Sequence, residues 1–316
     1  MSAVAPLPGS AEPFVHPALF YRDDEEYLAG TVPFVRDGLA AGEPVAVAVP
    51  GERLRLVRDA LGGDAGAVRL LDMREAGRNP GRIIPGVLRA FADAQDPGRR
   101  VRIIGEPIWA GRTATEYPAC AQHEALINAA FAGRAVTILC PYDVRGLDER
   151  VIADAHATHP TVITGGSAAG RDSAAYDPSG VVGRYNEPLP PVPDALVFPF
   201  DRTSLSEARH VATGEGARLG LTGVRLDDLA LVTAELVTNS VVHGGGSGVL
   251  SVWAQDGRVV CDVRDGGTLT DPLAGRRPAP RDRRGGRGLL LVNLVCDLVR
   301  MHTSPHGTTV RCWFDV

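Results

Sequence analysis

The sequence predicts two domains of different fold class: a doubly wound α/β domain over residues 14–165 and an α+β sandwich over residues 198–316. Three observations predict it. A chain of 316 residues exceeds what one hydrophobic core usually serves. The first half alternates short, wholly apolar runs with helical patterns, as expected of a parallel sheet covered on both faces. The last third carries strands of alternating polarity joined by tight turns and interrupted by helices, which implies a sheet with helices packed on one side.

The elements follow in order. Residues 1–13, rich in Pro and Ala, read as a disordered lead-in without the basic cluster and apolar stretch of a signal peptide. In the first domain the predicted strands are 44–50 (PVAVAVP), 68–72 (VRLLD), 101–105 (VRIIG) and 135–140 (AVTILC). Between them lie predicted helices at 24–41, 52–61, 80–94, 116–131 and 148–157. Residues 166–197 are rich in Gly, Ser and Pro and read as a flexible linker.

The second domain opens with a short strand, ALVFPFD. Ser204 and Glu207 have the spacing of a capping box, starting a helix that runs to about Leu219. The next helix spans 225–243, with Leu226, Leu229, Thr233, Leu236, Val237 and Ser240 on its buried stripe. Strands at 248–255 and 258–264 are joined by Asp256-Gly257, a two-residue hairpin signal. A glycine loop, an Arg/Pro-rich stretch, a helix from about 288 to 300 and two closing strands complete the domain.

Composition narrows the chemistry. Hydrophobic residues make up 44% and charged residues 22%, enough apolar material for buried cores. No apolar run approaches the roughly 18 residues of a membrane span. A net charge of −5 argues against direct nucleic-acid binding, which needs a basic face to displace counterions. Five scattered cysteines without a C-x-x-C pair suit reduced core thiols of a cytoplasmic protein better than disulfides or a zinc cage. The chain contains no lysine; all 33 basic residues are arginine. That excludes a P-loop lysine, the anchoring lysine of ordinary protein kinases and Schiff-base chemistry. A bound nucleotide must then have its phosphates held by backbone amides, a metal ion and arginine.

Four patterns carry chemistry. Glu235, Asn239 and His243 recur every four residues, so they share one helix face. An amide oxygen there suits a hard cation such as Mg²⁺, and a carboxylate can take a proton from an attacking hydroxyl. Asp265-Gly266-Gly267 follows a strand, placing a carboxylate where an exocyclic amine can be recognised and glycines where backbone can approach a base. In RGGRGLLLV, glycines 286 and 288 and Arg287 lead into a helix beginning near Leu289, whose free N–H groups bind phosphate without lysine. His306-Gly-Thr-Thr309 forms a turn before the last strand, with Thr308 placed to reach phosphate or to back a base pocket. Each pattern alone also fits a solvated helix face or an ordinary turn.

Together and in this order, the four resemble the N, G1, G2 and G-x-T boxes of the GHKL superfamily over about residues 198–316. The E-x-x-x-N-x-x-x-H form looks most like the bacterial anti-sigma-factor serine kinases. The resemblance implies ATP and Mg²⁺ as cofactors, Glu235 as general base, Asn239 as the Mg²⁺ ligand and Asp265 as the adenine acceptor. It implies Gly286 and Gly288 as the phosphate-loop glycines, with His243, Gly267, Arg287, Leu289 and Thr308 completing the ATP site. Two departures stand out: Leu269 where the G1 box has its last glycine, and an Arg/Pro-rich segment, 270–284, where the ATP lid belongs.

In the first domain, strand ends and the opening segment offer a second set of polar groups: His16, Asp72, Glu106 and Trp109, Cys140 and Tyr142. No P-loop follows the first predicted strand. These features look like a MEDS domain, a sensory module related to the RecA-like fold that has lost its P-loop, over about residues 12–160. That resemblance implies a small-molecule or redox input. His156 and His159 have the spacing of a metal pair, but no third ligand is evident in sequence, and a solvated helix end is the plainer reading.

The function this implies is a cytoplasmic switch, a homodimer in many relatives of this type. It would sequester a sigma factor, phosphorylate a Ser or Thr on a STAS-type antagonist and be gated by the sensory domain. A reading of another class is a non-catalytic module whose nucleotide only shapes a partner surface. A sensor histidine kinase needs a dimerisation helix pair just before the ATPase, where residues 187–194 are instead Pro-rich.

Overall fold

The computed structural model describes residues 14–96, 98–164, 170–278 and 286–316. Two compact units result, one from the chain up to Arg78 with Gly86–Tyr185, the other from Asn79–Pro85 with Asn186–Val316.

In the first unit the order is β1 (Pro17–Tyr21), α1 (Asp24–Ala40), β2 (Val45–Val49), α2 (Gly51–Leu61), β3 (Arg69–Asp72) and α3 (Met73–Ala76), then α4 (Ala90–Ala92), β4 (Val101–Gly105), α5 (Tyr117–Phe131), β5 (Val136–Asp143), α6 (Glu149–Thr158), β6 (Thr161–Thr164), β7 (Arg171–Asp172) and α7 (Pro178–Arg184). They form one sheet ordered β3-β2-β4-β5-β1-β6-β7. All pairs are parallel except β6 with β7. Both faces are covered, so β2 can be Val-Ala-Val-Ala-Val with every residue buried. Leu19, Tyr21, Val45, Val47 and Val49 face a core shared with Tyr27 and Val35 of α1 and Val57 of α2.

Three differences from the sequence reading have physical causes. The central strand β1 was not predicted, because five apolar residues before a helix carry no periodicity of their own. The predicted helix 80–94 is broken into a 3₁₀ turn (Pro80–Arg82), a π-helical stretch (Ile84–Arg89) and α4. Pro80 and Pro85 each lack an N–H, and the ring of Pro85 obstructs a regular α-helix. The segment read as a flexible linker carries β7 and α7, and buries Val181 and Tyr185. The hydroxyls of Tyr117 and Tyr185 both donate to the buried Asp154 carboxylate.

The second unit runs β8 (Leu196–Asp201), α8 (Leu205–Arg218), α9 (Gly223–His243), β9 (Ser247–Gln255), β10 (Arg258–Asp265), α10 (Gly288–Val295), β11 (Leu298–Ser304) and β12 (Gly307–Asp315). Its antiparallel sheet is ordered β11-β12-β10-β9-β8. Strand alternation sets the two faces. Val259, Cys261, Val263, Val310, Cys312 and Phe314 join one core with Leu229, Val232 and Leu236 of α9. On the other face Asp262 and Arg311, opposite one another in the ladder, pair at 2.8 Å, and Arg311 lies over the Trp253 ring. Arg264 and Arg311 there donate to the carbonyls of Leu189 and Pro190. The Pro-rich stretch 187–194 is therefore held against the sheet by its backbone acceptors, a feature invisible to hydropathy. The β9–β10 hairpin turns on Asp256 and Gly257, both left-handed at φ 51° and 74°, as a type I′ turn requires.

Two further readings are corrected. Ser204 stands at the start of α8, but its hydroxyl makes no capping bond there and instead accepts from the Asp201 N–H at 2.9 Å. Asp201 competes for the same turn, taking the Thr203 N–H at 2.8 Å. The helix predicted to reach residue 300 ends at Val295; Cys296 is extended, and Leu298–Ser304 instead pairs along β12. The run LLLVNLVCDLVR is apolar enough to fit either state, and the ladder with β12 decides it.

Asn79–Pro85 clusters with this second unit. Asn79 Nδ2 donates to the Asn293 carbonyl of α10 at 2.8 Å, and its Oδ1 accepts from the Val299 N–H at 3.3 Å. Gly81 lies so close to Asn293 that a Cβ there would come within 1.9 Å of its Oδ1. Among the described residues no helix is long and apolar enough to cross a membrane.

Candidate functional site

A cleft of about 360 Å³ opens in the second unit between α9, the start of α10 and the ends of β10 and β12. Asn239 and His243 line it from α9, and Asp265, Gly267 and Thr308 from the strand ends. Gly286, Gly288 and Leu289 line it from the loop into α10. Leu236, Val263, Leu269, Met301 and Val310 supply apolar wall, and Ser240, Thr268 and Asp271 add further polar groups.

Asp265 is tightly fixed. Its Oδ2 accepts from the buried Ser240 hydroxyl at 2.6 Å and its Oδ1 from the Gly267 N–H at 2.8 Å. A Cβ on Gly244, which caps α9, would sit 2.3 Å from the Asp265 carboxyl carbon, so only glycine lets the helix end pack against it. Thr308 donates to the Gly267 carbonyl at 2.8 Å, tying β12 to the same loop. Gly307, at φ 139°, allows the approach: a Cβ there would lie 2.2 Å from the Asp265 carbonyl oxygen.

Glu235, one turn before Asn239, is half-buried beside Gly288. A Cβ at Gly288 would come within 2.5 Å of Glu235 Oε2 and 3.3 Å of Asn239 Nδ2. The glycine thus lets the start of α10 pack close against the carboxylate and the carboxamide. These groups fit the cofactors that the sequence implies: an amide oxygen offers a hard-cation ligand, and free helix N-terminal N–H groups offer a phosphate cradle. Arg287 is the N-cap residue of α10 and is exposed. Leu269 contributes apolar wall, and its N–H donates to the Thr303 hydroxyl at 2.9 Å. Of the Arg/Pro-rich segment, residues 279–284 lie outside the described residues.

Sequence reasoning missed Ser240 as the residue holding Asp265, although it placed Ser240 on the buried stripe. The signal was available: a buried hydroxyl next to Asn239 requires a partner.

The six polar residues singled out in the first unit do not form one site. Asp72 caps α3, accepting from the Arg74 N–H at 2.9 Å. Trp109 lines a cleft of about 300 Å³ with Arg112, Tyr117 and Arg150, and the Arg112 guanidinium lies 4.0 Å over its ring. His16 Nε2 and Cys140 Sγ are 3.4 Å apart in the interior. Tyr142 lies near them, its ring edge-on to His159 at 5.5 Å. His159 is therefore no solvated helix end: it is fully buried, 3.2 Å from Glu124, whereas the His156 ring lies tilted against Phe20 at 4.8 Å.

Glu106 forms a separate buried cluster at the end of β4. It accepts from the hydroxyls of Tyr21 and Tyr27 at 3.3 Å each, and Arg53 lies over both rings at 5.0 and 4.9 Å. Burial pushes its pKa up to about 8. A carboxyl raised in the folded state stays protonated there while the unfolded chain has already ionised. Stability is then greatest below the unfolded carboxylate range, falls as pH rises toward about 8, and levels off beyond. Denaturant midpoints measured from about pH 5 to about pH 9 should show this decline in the native chain. Glu106→Gln should flatten it; an unchanged slope in the variant would assign the decline to another group.

Comparison with known proteins agrees with both halves. Residues 15–160 match the family described as MEDS, the MEthanogen/methylotroph, DcmR Sensory domain, and residues 198–314 match the histidine kinase-like ATPase domain. The anti-sigma F factors of Bacillus velezensis and Bacillus subtilis are each 33% identical over 117 residues, covering 34% of this chain and 80% of theirs. The serine-protein kinase RsbW of Halalkalibacterium halodurans is 32% identical over 118 residues, covering 34% of this chain and 73% of its own.

Proposed function

The chain belongs to the family of anti-sigma F factors and RsbW serine-protein kinases, joined here to a MEDS domain, and from that premise we propose that it is an ATP-dependent anti-sigma regulator. In this reading it sequesters a sigma factor and phosphorylates a Ser or Thr of a STAS-type antagonist. The observation that supports it is the approach of Gly288 to Glu235 and Asn239, a carboxylate and a carboxamide beside the glycine that opens α10. Mg-ATP, when bound, supplies the phosphoryl group.

The chain's own residues do the rest. Asp265, held by Ser240 and Gly267, accepts the exocyclic amine of adenine. The amides from Gly286 onward and the Arg287 side chain hold the phosphate chain. Asn239 offers its oxygen to Mg²⁺, and Glu235 takes the proton of the incoming hydroxyl. Gating by the N-terminal unit is part of the proposal, supported by the way Asn79–Pro85, flanked in sequence by that unit, packs on α10.

Transfer of radiolabelled γ-phosphate from ATP to a purified STAS-domain protein, with the label on Ser or Thr, is the expected result. Leu269 at the last G1 position favours a second reading, a nucleotide-binding regulator without catalysis. Tight Mg-ATP binding with no transfer to any STAS protein, and sigma-factor binding retained, would select that reading over the first.

A further inference from the structure

Four side chains from separate elements of the first unit end at one interior point. Cys140 of β5 stands opposite Ala18 of β1, so strand alternation puts His16, two residues before Ala18, on the same sheet face. The helix α5 lays Glu124 over that face, and His159, capping α6, closes it. His16, Glu124 and Cys140 are each 1% exposed and His159 is 0%. His16 Nε2 lies 3.4 Å from Cys140 Sγ and 3.5 Å from Glu124 Oε2, and His159 Nε2 lies 3.2 Å from Glu124 Oε2. One such atom from each of the four residues falls within 4.8 Å of all the others.

The hydrogen bonds behind the cluster fix what each residue presents. Asn128 Nδ2 donates to the carbonyls of Ala125 and Thr158 at 3.1 and 2.8 Å, which leaves its Oδ1 as the acceptor for His16 Nδ1 at 3.1 Å. His159 Nδ1 donates to the Ala155 carbonyl at 2.9 Å. In their neutral form both imidazoles therefore turn an Nε2 lone pair inward. Glu124 Oε1 and Oε2 and His159 Nε2 have no hydrogen-bond partner. Lone pairs facing lone pairs in a dry interior are costly unless something positive lies between them.

We propose that His16, Glu124, Cys140 and His159 form a closed four-coordinate zinc site. Zinc bonds to nitrogen, oxygen and sulfur imply tetrahedral ligand separations of about 3.3–3.8 Å; the three contacts of 3.2, 3.4 and 3.5 Å match that spacing, and the remaining pairs lie within 4.8 Å. A thiolate and a carboxylate bring two negative charges, so a divalent ion leaves the buried site neutral. Nδ1–H groups anchored on a carboxamide and a carbonyl are the outer partners that metal-bound histidines use. The sulfur and two imidazoles disfavour Mg²⁺ and Ca²⁺, which take oxygen ligands. The site is separate from the nucleotide cleft, and none of its ligands is used there.

The test uses the full chain, purified without chelator. Elemental analysis should find stoichiometric zinc, lost in Cys140→Ser and His159→Gln. It should be kept in Cys120→Ser, which alters a buried cysteine of α5 outside the cluster. Cobalt substitution should give the visible bands of a tetrahedral site together with a thiolate-to-cobalt charge-transfer band. That band should be present in the unaltered chain and in Cys120→Ser, and absent in Cys140→Ser. The cobalt spectrum of the unaltered chain does not depend on how any variant folds. Substoichiometric metal after incubation with zinc, or no charge-transfer band with cobalt, would overturn the site. Stoichiometric iron or copper in place of zinc would overturn the choice of metal.

Discussion

Glu235→Ala is expected to slow phosphoryl transfer by roughly 10²–10⁴-fold, the usual contribution of a positioned general base, while leaving Mg-ATP affinity unchanged. In the proposed reading the two effects separate because Glu235 lies beside Gly288, at the loop assigned to the phosphates, whereas the base is assigned to Asp265. Folding should survive. The residue is half-buried in the middle of α9, and alanine is the strongest helix former, so the helix keeps its core stripe of Leu229, Val232, Leu236 and Val237. Single-turnover transfer and nucleotide titration on the same preparation measure the two quantities. Unchanged transfer would remove Glu235 from the chemistry. Parallel loss of binding and transfer would make it a residue that positions the phosphates through the Gly288 turn.

Legibility in the sequence followed how local each signal was. The helix α9 could be read because its buried stripe and its polar row are both written within 21 residues, and the boundaries differ from the structure by two residues at one end. The β9–β10 hairpin could be read because Asp256-Gly257 has few other uses. By contrast, β1 acquires its identity from β5 and β6 on either side, partners that begin more than a hundred residues later. The Pro-rich stretch before β8 is ordered by Arg264 and Arg311, residues whose side chains reach its carbonyls only once β10 and β12 are paired. The buried cluster around Cys140 shows the same limit more sharply. His16 and Cys140 were singled out as strand-associated polar groups, yet nothing local joined them to Glu124 or His159. One clue was present in the helix YPACAQHEALINAAF: a carboxylate in a segment that apolar residues dominate must be paired, protonated or coordinated.

Asp265→Asn is expected to weaken ATP binding by about 10- to 100-fold, the cost of about 1–3 kcal/mol for a buried polar group left mispaired. The carboxylate is an acceptor on both oxygens, and the protein already fills one acceptor site on each, through Gly267 N–H and Ser240 O–H. An asparagine must keep its oxygen toward Gly267, because a backbone N–H cannot reverse its polarity. Its amide nitrogen then takes the position of Oδ2. Ser240 can rotate to accept from that nitrogen, but the exocyclic amine of adenine cannot, so donor faces donor in the cleft. Guanine carries an acceptor in place of that amine, so the variant should lose part of its preference for ATP over GTP rather than lose all nucleotides equally. Titrating both nucleotides against both chains reads this directly. Equal losses for ATP and GTP would mean that Asp265 only braces the loop at Gly267. Retained ATP affinity would place the base elsewhere in the cleft. Enlarging the residue is no substitute for this test, since Gly244 packs against the carboxyl and Asp265→Glu would push the end of α9 out of place.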